Sequence, residues 1–91
     1  MHEEEFRKEG ETVAAADLTV AMKGNRDISL VKCIINGDVS LESATTVEGR
    51  VTIQDTTFKG KVDWSYSTFK RVVRLERAIF EREVNFIRLV V

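Results

Sequence analysis

The sequence has only one cysteine, Cys33, and one histidine, His2, and no apolar run approaches the roughly 18 residues a membrane span requires. A lone cysteine excludes an internal disulfide framework and points to a reducing, cytoplasmic setting. The opening Met1-His2-Glu3-Glu4-Glu5 is acidic where a secretory leader would be basic and then apolar. A lone histidine in such a terminal stretch is a poor general base or ligand. Metal-ligand spacing of His and Cys is absent, as are the glycine-rich phosphate-binding patterns. The sequence therefore offers no catalytic residue, no metal site, no cofactor and no evident small-molecule substrate.

What is present fits one soluble domain. Hydrophobic residues make up 43% of the chain and charged residues 32%, a balance unlike that of a disordered tail. A domain of 91 residues buries a modest share of its surface, so it needs regular packing or a partner subunit. The net charge of −1 is unevenly spread. Residues 1–49 carry 5 basic and 10 acidic side chains, whereas residues 50–91 carry 9 basic and 5 acidic. Such polarity suits either head-to-tail contacts or an anionic partner, although signs alternate locally as on an ordinary solvated surface.

The strongest signal is a repeat. Phe58, Phe69, Phe80 and Val91 recur every 11 residues, as do Trp64, Leu75 and Phe86, and also Val62, Val73 and Val84. An 11-residue period also suits a right-handed helical coil, but the fine structure excludes it. Apolar or small residues come in pairs two apart, such as Val51/Ile53, Thr56/Phe58, Val62/Trp64 and Ser67/Phe69. Positions two apart lie about 200° apart on a helix but share a face on a strand. The pairs extend upstream to Ile28/Leu30, Cys33/Ile35, Val39/Leu41 and Thr45/Val47. Their second members define the expected core: Leu30, Ile35, Leu41, Val47, Ile53, Phe58, Trp64, Phe69, Leu75, Phe80 and Phe86. Successive members are five and six residues apart in alternation, with one irregularity between Leu41 and Val47. Inward pairs stepped through sharp corners build a solenoid, in which each repeat buries its face against its neighbours.

The stretches Phe58-Lys-Gly-Lys-Val62-Asp-Trp64-Ser-Tyr-Ser67-Thr-Phe69, Phe80-Glu-Arg-Glu-Val84-Asn-Phe86 and Ile35-Asn-Gly-Asp-Val39-Ser-Leu41 resemble the pentapeptide-repeat family in its phenylalanine-centred form. The resemblance covers residues 28–91. It implies an all-β, right-handed, four-faced β-helix of about three coils, with Leu30/Ile53/Leu75, Ile35/Phe58/Phe80, Leu41/Trp64/Phe86 and Val47/Phe69/Val91 stacked in columns. Gly37, Gly49 and Gly60 sit two residues before Val39, Val51 and Val62, where a corner with positive φ suits glycine. Arg71 and Arg82 hold that position later.

At the N-terminus, residues 1–11 read as a flexible acidic tail. Residues 12–27 read as a capping α-helix and turn, started by Thr12, ended by Gly24-Asn25, and with Ala14, Leu18, Ala21 and Met22 on one face. The helix is expected to cover the first coil. At the other end the apolar run Phe86-Ile-Arg-Leu-Val-Val91 suggests an open edge. Phe86, Leu89, Val90 and Val91 are accordingly the expected self-association edge of a homodimer. The functional expectation is a non-enzymatic scaffold that binds itself or an unidentified protein partner. The alternative is a DNA mimic or nucleic-acid binder. Some members of the resembled family are acidic rods that inhibit DNA gyrase by resembling the duplex. Here the repeat half is net positive and short, and the overall charge is negative, which argues against a nucleic-acid partner.

Overall fold

The structure, a computed structural model, describes residues 5–41 and 45–86. In chain order the elements are β1 (Phe6–Glu9), β2 (Thr12–Ala14), α1 (Ala15–Lys23), β3 (Ile28–Val31), β4 (Ile34–Asn36), β5 (Val39–Ser40) and β6 (Thr46–Val47). There follow β7 (Val51–Gln54), β8 (Thr57–Phe58), β9 (Val62–Asp63), β10 (Thr68–Phe69), β11 (Val73–Glu76), β12 (Ile79–Phe80) and β13 (Val84–Asn85). Strands adjacent in sequence never pair with each other. Each pairs in parallel with the strand one turn away, giving walls ordered β1-β3-β7-β11, β2-β4-β8-β12, β5-β9-β13 and β6-β10. These four parallel ladders are the walls of a β-helix solenoid.

The pairs two residues apart explain why the chain folds this way. In β3 and β7 burial alternates residue by residue, so Ile28, Leu30, Val51 and Ile53 all point inward. Leu30 registers on Ile53 and Ile53 on Leu75 in the first wall. In the second wall Val13, Ile35, Phe58 and Phe80 stack in succession. The third wall brings Val39, Val62 and Val84 into register, and the fourth Val47 and Phe69. Phe58 stacks on Phe80 with centroids 5.0 Å apart, and Trp64 on Phe86 at 5.4 Å. Ring pairs of this kind contribute about 0.5–1.5 kcal/mol beyond their area. Among the described residues the column members from Leu30 to Phe69 are buried, while Leu75, Phe80 and Phe86 are partly buried against that core.

The N-terminal segment departs from the sequence expectation. Phe6–Glu9 is a strand and not part of a flexible tail, because Phe6 enters the core and its backbone pairs with β3 in the register Phe6–Ile28. The helix begins at Ala15, not at residue 12. Thr12–Ala14 pairs with β4 instead, placing Val13 over Ile35 and leaving Thr12 in a strand, so it caps nothing. Local helix propensity there yields to strand pairing plus burial of Val13. The repeat geometry thus reaches back before residue 28 by two walls. Helix α1 takes the place of the other two walls in this first turn and packs on β5 and β6. Its buried side chains are Ala15, Leu18, Ala21 and Met22. Full burial of Leu18 and Met22 stabilises the docked helix by about 1.5–3 kcal/mol each.

The helix ends in a Schellman arrangement. Arg26 N–H donates to the Ala21 carbonyl at 3.2 Å and Asn25 N–H to the Met22 carbonyl at 3.3 Å, with Asn25 left-handed at φ 63°. A second left-handed position recurs once per turn, between the first and second walls. Gly10, Lys32, Asp55 and Arg77 occupy it, with φ of 66°, 54°, 50° and 51°. The N–H groups of Gly10, Lys32 and Asp55 donate there to the carbonyls of Val31, Gln54 and Glu76 at 2.9–3.0 Å. The ladder therefore runs unbroken around the bend, which offsets the roughly 1–2 kcal/mol that left-handed backbone costs a residue with a Cβ.

The expected corner glycines work differently from one another. Only Gly37 has positive φ, at 110°. Gly49 and Gly60 are needed for close approach. A Cβ on Gly49 would lie 2.2 Å from the Arg26 carbonyl oxygen, and one on Gly60 2.3 Å from that of Gly37. The same corners are tied by Asp27 and Asp38, whose carboxylates accept from Arg50 N–H and Lys61 N–H at 2.8 Å.

Candidate interaction surfaces

Three features of the outer surface bear on function: the edge at the last turn, the ion pairs along the walls, and the exposed apolar residues. At the edge, β11, β12 and β13 each have a strand on one side only among the described residues. Val84, an inward position in the repeat, is 40% exposed there, and Phe86 is partly buried. Leu89, Val90 and Val91, the remaining residues of the expected self-association edge, lie outside the described residues, so the structure brings only Phe86 of that group into view.

Charge on the second and third walls is arranged in columns. Lys59 meets Glu81 at 3.3 Å and Lys61 meets Glu83 at 3.8 Å, each pair joining successive turns. At the left-handed corner Arg77 grips Asp55 with two bonds, Nε to Oδ1 at 2.5 Å and Nη2 to Oδ2 at 3.1 Å. This bidentate contact, helped by the charges of Arg77 and Lys32, holds the Asp55 carboxyl below its ordinary range. Asp63 is lowered too, by the Ser65 hydroxyl at 2.6 Å and the Ser65 N–H at 3.1 Å. These exposed pairs stabilise neighbouring turns modestly and fix the order of side chains along each wall.

The remaining sequence candidates fall as follows. Cys33 is a buried free thiol, stacked on Thr56 of the next turn and donating to the Val31 carbonyl at 3.4 Å. Its surroundings are those of a structural side chain. Tyr66 is half exposed, left-handed at φ 59°, in a turn closed by Ser67 N–H to the Trp64 carbonyl at 3.3 Å. Arg71 and Arg82 stand at different corners, Arg71 leading into β11 and Arg82 into β13, and so form no joint site. No helix among the described residues is long and apolar enough to cross a membrane.

Sequence reasoning missed the outward column Thr12, Ile34, Thr57 and Ile79, where Ile34 and Ile79 are more than two-fifths exposed. It also missed the pairing of charges 22 residues apart, which the repeat length could have revealed. Among known families, the sequence model described as pentapeptide repeats (9 copies) matches residues 43–88. No curated protein and no solved structure matches the chain.

Proposed function

Because the chain belongs to the pentapeptide-repeat family, we propose that it is a non-enzymatic scaffold that associates with a second copy through the last turn of its solenoid. The observation that carries this reading is the one-sided pairing of β11, β12 and β13 above half-buried Leu75, Phe80 and Phe86. Unpaired strand edges over apolar side chains favour docking of another chain, and a second copy brings an identical edge. The free thiol of Cys33 accords with a cytoplasmic location.

A role as a DNA mimic or nucleic-acid binder has less support. Of the cations in the basic half, Lys59, Lys61 and Arg77 are already matched to carboxylates. Sedimentation velocity at tens of micromolar tests the preferred reading. A dimer is expected, and Val84→Glu, placing charge at the edge, is expected to shift it toward monomer. A strict monomer at that concentration overturns the proposal.

A further inference from the structure

The corner between the fourth and first walls differs electrostatically from the others. Residues 70–72 form it between β10 and β11, and residues 48–50 form it one turn earlier, between β6 and β7. Lys70, Arg71 and Arg50 project there, and Arg74 follows on the outer side of β11, one turn from Thr52. All four cations are exposed. Unlike Lys59, Lys61 and Arg77, none has an ion pair or side-chain hydrogen bond among the described residues. Val72 stands among them, 60% exposed, with its carbonyl used in the ladder by Val51 N–H at 3.0 Å. Two carboxylates share the corner. Asp27 is held by Arg50 N–H at 2.8 Å, and Glu48 precedes Gly49.

We propose that this corner docks an acidic protein segment that also carries an apolar side chain. The cluster is compact and surrounds one exposed aliphatic residue. That arrangement suits a short peptide whose carboxylates meet the cations while its apolar side chain covers Val72. A phosphate backbone is favoured by a long stripe of cations on a basic protein, whereas here the cluster is local and the net charge is −1. Rigid strands fix the spacing of the four cations, so little order has to be gained on binding. The inference rests on the reading of the chain as a protein-interaction scaffold, at a surface separate from the self-association edge.

The test uses the full chain and a short labelled peptide of alternating Glu and Leu, followed by fluorescence anisotropy at about 50 mM salt. A peptide of alternating Lys and Leu and a single-stranded oligonucleotide serve as comparisons. Binding of the acidic peptide is expected, with the double variant Arg71→Glu/Arg74→Glu weakening it by about tenfold or more. Both positions are exposed, and a thermal melt verifies that the variant remains folded. Lys59→Glu/Lys61→Glu, on the paired side, is expected to leave affinity within about twofold. Absence of binding, equal loss in both double variants, or tighter binding of the oligonucleotide than of the acidic peptide overturns the inference. Sedimentation is read separately, so a chain that dimerises yet ignores the peptide fails here alone.

Discussion

Replacing Gly60 by alanine probes how closely successive turns of the solenoid approach. The new Cβ would lie 2.3 Å from the Gly37 carbonyl oxygen, 2.4 Å from its carbon and 2.5 Å from Asp38 Oδ1. Two of these atoms are backbone in the preceding turn, so relief requires the turns to separate. Overpacking of this sort costs about 1–3 kcal/mol. The displaced Asp38 carboxylate also loses the Lys61 N–H, 2.8 Å away, a charge-assisted bond contributing about 1.5–3 kcal/mol. A loss of about 3 kcal/mol is therefore expected, partly relieved by small backbone shifts. For a domain of this size that lowers Tm by roughly 12–24 °C.

The assay is a pair of denaturant melts followed by circular dichroism, with Gly10→Ala as reference. Gly10 is left-handed at φ 66° but has nothing within 4 Å of a built Cβ. Its substitution carries only the conformational cost of about 1–2 kcal/mol. In an Asp38→Ala background Gly60→Ala is expected to keep most of its effect, since the Gly37 carbonyl remains. A loss below about 1 kcal/mol for Gly60→Ala, or one no larger than for Gly10→Ala, refutes the close-approach argument.

Two other perturbations test the core and the charge columns. Phe58→Ala and Phe69→Ala remove fully buried rings and are expected to cost about 3–5 kcal/mol each; a denaturant melt showing less than about 1 kcal/mol contradicts their inward packing. Asp55, held below its ordinary pKa by Arg77, contributes stability that is present above the unfolded-state pKa and is lost as pH falls through the lower folded-state value. Stability curves of the native chain and Arg77→Ala should accordingly differ at neutral pH and converge in acid. Curves that stay parallel throughout would contradict the contribution assigned to the pair.

The solenoid is legible in one dimension because its decisive signal is local. A pair such as Val62/Trp64 can share a face only on an extended strand, and repetition of that pair every 11 residues forces stacking. The sequence alone therefore determines the inward columns from Ile28 to Phe86 and their strand character. It equally determines that Gly24-Asn25 terminates the helix, because the left-handed residue follows directly in the chain.

Tertiary structure decided the rest. Phe6-Arg-Lys-Glu has a single apolar side chain and no pattern of its own, and it is a strand because β3 offers an unpaired edge and the core a place for Phe6. Thr12–Ala14 leaves the helix for the same reason. Gly49 and Gly60 look alike in sequence to Gly37, yet only the arrival of backbone from the previous turn explains them. The partners of Asp55, Lys59 and Lys61 lie 22 residues onward, and so do not appear until the turns are stacked. The same stacking leaves Arg50, Lys70, Arg71 and Arg74 together without carboxylate partners among the described residues. Composition records how many charges the chain has; the turn-to-turn register decides which of them are neutralised and which face outward unpaired.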